Sequence, residues 1–230
     1  MLQSDRSPER ARQDYVKAIY QLGDGLPVSA ADLARYLAKS RAAITKSRRI
    51  LEKQRLVRPA ATRTDRIALT GRGKRLGATM LRRHRLIETF LHRSLGVPID
   101  EVHAQAEALE HVISDDVAER IARFLGNPRV DPHGHPIAVK SRRAAAHAAV
   151  ETLADAATGH RVRVDSIPDR DPMIVRQLLA SRVLPGLEAR VVDGRKGFVN
   201  LRSAAGGHAV GIRVARLIRV TTDKVPQPAK

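Results

Sequence analysis

The segment from Val102 to His111 limits what this chain can fold into more than any other part of its sequence. If it forms a helix, two histidines and two glutamates share one stripe of its surface, because their spacing is i, i+4, i+7 and i+8. These residues are His103, Glu107, Glu110 and His111. A neighbouring apolar stripe is predicted to pack against the protein and consists of Val102, Ala106, Leu109 and Val112. Burying imidazoles and carboxylates in a protein core costs free energy, but the same groups on one helix face are suitable ligands for a divalent cation.

A second pair, His84 and Glu88, is spaced at i and i+4 on another predicted helix. The turn signal Leu95-Gly96-Val97-Pro98 separates this helix from the first and favours an antiparallel helix pair. One such pair alone is typical of a surface salt bridge, whereas two pairs on adjacent helices favour a metal site. The chain has no His-Glu-x-x-His motif, which argues against a zinc protease.

The charge of the chain predicts a polyanionic partner. The 230 residues include 42 Lys and Arg and 24 Asp and Glu, which gives a net charge of +18. Residues 35–75 alone contain 14 of the basic residues and only two acids, so the charge is concentrated. Nucleic acid is the first candidate, and a merely basic surface from a biased composition is the alternative. The chain contains no cysteine, so disulfides and thiolate metal ligands are excluded.

The basic region has the order of a helix-turn-helix. Ser7-Pro8-Glu9 begins a first helix, residues 28–37 form a short second one, and residues 41–55 form a basic third one. Residues 56–59 and 66–69 are predicted to form a β-hairpin wing with a basic tip. The predicted DNA-contacting residues are Ser40, Arg41, Ala43, Thr45, Lys46, Arg48 and Arg49 on the third helix and Arg63 on the wing.

The rest of the chain is predicted to be helical and then β-rich. A long helix runs from about Lys74 through His92, and further helices extend to about Leu125. A loop rich in Pro, Gly and His follows over residues 126–136, and residues 140–146 form a basic linker or a short helix. Short β-runs begin at about Glu151, with one helix at residues 172–181 and a β-run at residues 209–220, and indicate a small barrel.

In this order of elements the chain resembles the diphtheria toxin repressor family of metal-dependent regulators. The motifs that carry the resemblance are Asp14-Tyr15-Val16-Lys17-Ala18-Ile19-Tyr20, Leu69-Thr70-Gly71-Arg72-Gly73, Arg83-His84-Arg85-Leu86-Ile87-Glu88 and Val102 through Asp115. The resemblance implies a mainly α protein with a small all-β C-terminal domain. Its expected parts are a winged helix-turn-helix domain (1–77), a helical metal-binding and dimerisation domain (78–140), a linker (141–152) and a Src-homology-3-like, ferrous-transport-protein-A-like domain (153–223).

The resemblance also implies a first metal site. Its ligands would be Asp14, Glu107, Glu110 and His111. Iron-dependent members carry Met and Cys at the positions of Asp14 and Glu107, whereas carboxylates there are the pattern of manganese-dependent members. Oxygen-rich sites suit Mn²⁺, which agrees with that assignment. Lys17 replaces a Glu that helps to hold a second ion in manganese members without the tail domain, so the paired-metal version of the site is not expected here.

A second site is implied by the tail-bearing manganese members. Its ligands would be Glu88, Asp131, His133 and Asp171, with His84 and His103 as further ligands or as hydrogen-bond partners of Glu88 and Glu107. Asp131 replaces the Cys of those members, which keeps a ligand at this position but changes it from soft sulfur to harder oxygen, again toward manganese. The alternative is that Asp131 and His133 only form a turn, and that Asp171 only caps a helix.

Together these observations predict a homodimeric, Mn²⁺-activated DNA-binding transcriptional regulator, a repressor of metal-uptake genes. An iron-dependent (Fe²⁺) regulator of the same architecture is the first alternative. A metal-dependent hydrolase with Glu110 as the base is a more distant one, since no nucleophile motif or substrate loop accompanies it. We expect no small-molecule substrate. The first residues contain no apolar signal segment and no run approaches the ~20 apolar residues of a membrane span, so we expect a cytoplasmic protein without membrane contact.

Overall fold

A computed structural model describes residues 7–59, 66–138, 151–193 and 197–223. The chain divides into two compact units, residues 1–84 and 85–230. The predicted wing-tip residue Arg63 and the basic segment 140–146 lie outside the described residues. Among the described residues, no helix is both long enough and apolar enough to cross a membrane.

The first unit begins with three helices, each preceded by a serine that caps it. The helices are α1 (Pro8–Gly23), α2 (Ala30–Leu37) and α3 (Arg41–Lys53). The hydroxyl oxygens of Ser7, Ser29 and Ser40 accept hydrogen bonds from backbone N–H groups in the first turn of each helix. A capping serine satisfies donors that the helix itself leaves unpaired, so these helices begin where the sequence places a serine.

A small antiparallel sheet completes the wing of this unit. Strand β1 (Val28–Ser29) pairs with β2 (Arg66–Ile67), and Val57 forms an isolated bridge with Leu69. The sequence placed Val28 and Ser29 within the second helix, which is wrong because Ser29 is extended and caps α2. The core of the unit lies under these elements and includes Val16, Ile19, Leu33, Ile44, Leu51 and Ile67.

Helix α4 (Gly71–Leu95) is longer at both ends than the sequence predicted, and the boundary between the two units falls within it. It begins early because the Thr70 hydroxyl accepts a hydrogen bond from the Gly73 N–H at 3.1 Å. A Cβ atom at Gly73 would lie 2.0 Å from the carbonyl oxygen of Leu56, so only glycine permits this close approach.

The second unit continues with two shorter helices, α5 (Val102–Leu109) and α6 (Asp115–Phe124). Val102 and Ala106 are fully buried, as the predicted apolar stripe requires. Leu109 is 36% exposed and Val112 is 77% exposed, so the prediction that these two residues pack against the protein is wrong. For Val112 the reason is that α5 ends at Leu109, so Val112 lies beyond the helix that carries Val102 and Ala106.

The C-terminal part of the second unit is a six-stranded antiparallel sheet with the strand order β3-β8-β4-β5-β6-β7. Its strands are β3 (Glu151–Thr152), β4 (Arg161–Ser166), β5 (Glu188–Asp193), β6 (Phe198–Ser203), β7 (Gly206–Gly211) and β8 (Arg219–Asp223). Helix α7 (Pro172–Ala180) lies where it was predicted, but α8 (Ile212–Ala215) interrupts the β-run predicted over residues 209–220. Alternate residues of β4 to β7 face the core. The predicted fold class, mainly α with a small all-β C-terminal domain, is confirmed.

Candidate metal centre

Six carboxylate and imidazole side chains gather inside the second unit, and we call them the buried cluster. They are Glu88 on α4, His103 on α5, Asp131, His133 and His135 in the loop after α6, and Asp169 in the loop between β4 and α7. Four separate segments supply them, so only the folded unit brings them together. A charged group is rarely buried unless it is paired or binds a metal.

One ring nitrogen of His133 is placed where it could bind a metal ion. Its Nε2–H donates a hydrogen bond to the carbonyl oxygen of Ile99 at 3.0 Å, which leaves Nδ1 as the acceptor. That Nδ1 is buried, has no hydrogen-bond partner and lies 3.9 Å from Oε1 of Glu88. Two buried acceptors that face each other are unfavourable without a cation or proton between them.

The spacing of the cluster suits a metal ion. One ligand atom each from Glu88, His133 and Asp169 all lie within 4.8 Å of one another, and all three residues are buried. His103 Nδ1 lies 3.1 Å from Glu88 Oε1 and 3.9 Å from Asp169 Oδ2. Nitrogen and oxygen ligands held about 2–2.5 Å from a cation are about 3–4 Å apart, which these distances match.

The loop that carries Asp131 and His135 docks tightly on the sheet. Asp131 Oδ1 accepts the backbone N–H of His135 at 2.9 Å, and its Oδ2 lies 3.4 Å from His135 Nδ1. Gly134, between the two histidines, has a φ of +87°, and a Cβ there would lie 1.9 Å from the carbonyl oxygen of Asp165. Glycine at this position therefore allows the loop to reach β4.

The electrostatics of the buried cluster follow from its mixed charges. Burial alone lowers the pKa of His103, but hydrogen bonds with Glu107 and Glu88 outweigh it and raise that pKa to about 10. Burial likewise opposes a charge on His135, yet Asp131 and Asp169 raise the pKa of its imidazole. His135 and His103 overcome the burial of Asp169 and lower the pKa of its carboxyl. Without a metal, imidazolium protons therefore balance the carboxylates, and a cation would replace them.

Two of these six residues were not predicted, and one predicted residue lies elsewhere. Asp171 is exposed and accepts the Met173 N–H at 2.9 Å as the N-cap of α7, which is the alternative that the sequence left open. Asp169, two residues earlier, lies in the cluster instead. His135 was missed although it follows His133 by only two residues, and this proximity was the available signal.

The predicted first-site residues of the second unit lie at the end of α5. Glu110 is fully buried at the C-cap position, and His111 Nε2 lies 3.3 Å from its Oε1. Glu107 is 43% exposed and contacts His103, with His103 Nε2 and Glu107 Oε1 3.6 Å apart. Asp14 is a partly buried residue of α1 in the first unit. His84 is buried on α4, one turn before Glu88.

The predicted DNA-contacting residues occupy α3, most of them with exposed side chains. Arg41, Thr45, Lys46 and Arg49 are exposed, Ala43 is partly buried, and Ser40 caps the helix. Arg48 differs because its Nε donates to Glu52 Oε1 at 2.9 Å, with a side chain only 15% exposed. The exposed set offers cations and a hydroxyl from the first turns of the helix, as a recognition helix does.

Known proteins match this chain in sequence over most of its length. Residues 70–138 match the family described as the iron dependent repressor, metal binding and dimerisation domain, and residues 151–222 match the FeoA domain. The iron-dependent repressor IdeR of Mycobacterium leprae is 34% identical over 167 residues, which is 71% of this chain and 70% of IdeR. The diphtheria toxin repressor of Corynebacterium diphtheriae is 30% identical over 197 residues, 81% of this chain and 86% of that protein. The chain belongs to the diphtheria toxin repressor family.

Solved structures agree with this membership. One described as a manganese-dependent transcriptional repressor in complex with manganese is 33% identical and has a TM-score of 0.81, over 92% of this chain and 100% of that one. The manganese regulator SloR is 27% identical with a TM-score of 0.74, over 92% and 98%. This family member is accordingly a metal-dependent transcriptional repressor rather than an enzyme, and the hydrolase hypothesis is wrong.

Proposed function

We propose that this repressor is homodimeric, is activated by Mn²⁺, and binds a palindromic operator of metal-uptake genes. The observation that carries the choice of metal is the donor set at the end of α5, where Glu110 supplies carboxylate oxygens and His111 an imidazole nitrogen. The chain has no cysteine to add a soft ligand. Oxygen-rich donor sets favour manganese, whereas thiolate and thioether ligands favour softer ions.

The activating site that we propose uses Glu110 and His111. Their contact at the end of α5 provides one carboxylate and one imidazole side by side, with the carboxylate fully buried. The sequence pattern adds Asp14 and Glu107, which are carboxylates where iron-dependent members carry sulfur ligands. A bound cation would stabilise the conformation in which these ligands are assembled, and would shift the population toward the form that binds DNA.

The proposed role of α3 follows from its exposed side chains. Arg41, Thr45 and Lys46 would meet base edges and phosphates in the major groove. In a homodimer, two copies of α3 about 34–36 Å apart, one turn of B-DNA, would read the two halves of a palindrome. Arg48 would have to leave Glu52 before it could bind DNA, so we assign it a smaller role.

Metal-dependent DNA binding tests the proposal. The full chain, stripped of metal, is mixed with genomic DNA fragments, and the fragment retained with Mn²⁺ is used as the operator. Binding to this operator is then titrated with Mn²⁺, with Fe²⁺ under anaerobic conditions and with Zn²⁺. We expect operator binding at the lowest free concentration with Mn²⁺. Operator binding that is unchanged by any of these metals would contradict the proposal.

Iron is the second candidate, and the relatives favour it. IdeR of Mycobacterium leprae is named as an iron-dependent repressor and aligns with most of this chain. If Fe²⁺ activates operator binding at a lower free concentration than Mn²⁺, the iron assignment replaces the manganese one. The same titration therefore decides between them, because each ion is compared on the same protein and operator.

A further inference from the structure

Three arginines form a row across the C-terminal sheet. Arg190 on β5 is directly opposite Arg161 on β4 and directly opposite Arg202 on β6. Directly paired residues of an antiparallel sheet point to the same face, and all three arginines are exposed. We call these three residues the arginine row. At its ends the row meets Asp223 on β8 and Gly207 on β7.

The arginine row is unfavourable for the sheet itself. Like charges directly opposite each other on neighbouring strands destabilise the pairing, and the strands are only about 4.7–4.9 Å apart. Within the described part of the chain, none of the three side chains makes a salt bridge or a hydrogen bond. Arg161 does not form a salt bridge even with Asp223, which lies directly opposite it on β8. Arg163, two residues from Arg161, by contrast donates to Asp165 at 3.2 Å. A local arrangement that opposes folding without compensation points to a role in binding.

We propose that the arginine row is a contact site for the phosphate backbone of duplex DNA that does not depend on base sequence. The proposal rests on the proposed function, because the DNA-binding helix would bring DNA to the same molecule. Guanidinium groups match phosphate oxygens in a two-pronged geometry and remain charged at every physiological pH. Duplex DNA is the polyanion that the proposed function supplies, so we assign it rather than RNA or an acidic membrane.

The dimensions of the row agree with this ligand. Three neighbouring strands span about 10 Å between the outer two. One DNA strand carries a phosphate about every 3.4 Å along the helix axis, so the row would meet about three successive phosphates. Each phosphate contact releases condensed counterions, and the affinity then depends on salt with a slope that counts these contacts.

The experiment measures this slope with the full chain in the presence of Mn²⁺. A fluorescent duplex of random sequence is the probe, and anisotropy gives its affinity at a series of NaCl concentrations. The variant R161Q/R190Q/R202Q removes the row, and R182Q/R213Q/R216Q removes the same charge from exposed positions elsewhere in the second unit. We expect the plot of log affinity against log salt to become shallower by about 2–3 for the row variant and by much less for the control.

Each other outcome overturns the proposal. Equal slopes for the two variants would show an effect of net charge alone. A row variant that keeps its affinity for the duplex but loses it for RNA, or for vesicles of phosphatidylserine and phosphatidylcholine, would assign the face to another partner. Wild-type protein that fails to bind any duplex, operator included, would overturn the proposed function as well. Loss of fold is excluded separately, since removal of like charges should leave the thermal midpoint unchanged or raise it.

Discussion

The buried cluster and the Glu110–His111 pair both combine carboxylates with imidazoles, but they are assembled by different means. The cluster draws its six residues from four segments, and long-range contacts such as His133 with the carbonyl of Ile99 hold them in place. The Glu110–His111 pair comes from two consecutive residues at the end of one helix. One group is therefore fixed by the tertiary fold and the other by a single turn of backbone.

This difference predicts different roles for the two groups. A site whose ligands are fixed by the fold requires little reorganisation when it binds a metal, so its metal should mainly stabilise the second unit. A site whose proposed ligands come from α1 as well as from the end of α5 can couple metal binding to conformation. We expect the pair at the end of α5 to control DNA binding and the buried cluster to control stability.

The largest expected effect is that of Glu110→Gln on Mn²⁺-stimulated operator binding. The substitution removes a fully buried carboxylate that we propose as a ligand. Loss of a residue that only hydrogen-bonds to a metal ligand typically weakens metal binding by about 10–100-fold. For a ligand itself we therefore expect the Mn²⁺ concentration for half-maximal binding to rise by more than about 100-fold. The midpoint is measured by anisotropy on the operator, and circular dichroism confirms that the variant is folded.

Glu107→Gln tests the second carboxylate of the proposed activating site. Glu107 is 43% exposed and contacts His103, whereas Glu110 is fully buried, so we expect a smaller rise in the Mn²⁺ midpoint for Glu107→Gln than for Glu110→Gln. No rise at all would remove Glu107 from the activating site. Normal operator binding by both variants at low Mn²⁺ would remove the end of α5 from the switch.

The second prediction concerns Asp169→Asn and its neighbour Asp171→Asn. Asp169 lies within the buried cluster, whereas Asp171 caps α7, a role that Asn also fulfils. We expect Asp169→Asn to weaken one bound Mn²⁺ per chain by about 10–100-fold while Asp171→Asn keeps the wild-type number. Equilibrium dialysis against Mn²⁺ counts the ions. The reverse result would restore Asp171, the ligand implied by the family resemblance.

Asp169 and Asp171 show why the sequence alone could not identify every residue of the buried cluster. Both precede the helix that begins at Pro172, and an aspartate directly before such a helix is equally consistent with a cap and a ligand. The choice depends on the path of the loop after β4, which no periodicity specifies. His135 was missed for the same reason, since Gly134 with its positive φ determines which way the loop turns.

The elements whose signals are local were predicted well. Serine caps set the predicted starts of α1 and α3, whereas the cap at Ser29 was missed and the start of α2 was placed two residues too early. The end of α5 was not predicted, because no glycine or proline marks it.

A third prediction uses glycine substitutions to distinguish the buried cluster from the Glu110–His111 pair. Gly134→Ala would place a Cβ 1.9 Å from the carbonyl oxygen of Asp165, so the loop must move away from β4. Gly126→Ala is the control, since Gly126 also has a positive φ but nothing lies within 4 Å of its Cβ position. Each substitution carries about 1–3 kcal/mol of backbone strain, and only Gly134→Ala adds the clash.

We therefore expect Gly134→Ala to lower the free energy of unfolding more than Gly126→Ala, and to lose one Mn²⁺ per chain. Urea unfolding and equilibrium dialysis measure the two effects. Operator binding should stay responsive to Mn²⁺ at the end of α5, provided the variant is folded at the assay temperature. Equal effects of the two substitutions would show that the close approach to β4 does not hold the cluster together.

The smallest expected effect is that of Asp100→Asn, which tests whether surface contacts help to assemble the buried cluster. Asp100, in the connection before α5, accepts a hydrogen bond from Arg176 on α7, and this hydrogen bond lowers the pKa of its carboxyl. A lowered pKa stabilises the fold above the unfolded value of about 3.9, and that contribution is lost as the pH falls through the folded value. Wild type should therefore be more stable than the variant at pH 7, and the two should converge in acid. The difference at pH 7 should be slight, because Arg176 is 55% exposed and solvent screens such a pair. Urea unfolding at several pH values measures the difference, and equilibrium dialysis should find the same number of bound Mn²⁺ ions in both proteins. A loss of bound metal in Asp100→Asn would mean that this surface pair, rather than the interior contacts of His133 and Asp131, brings the sheet and the helices close enough to form the buried cluster.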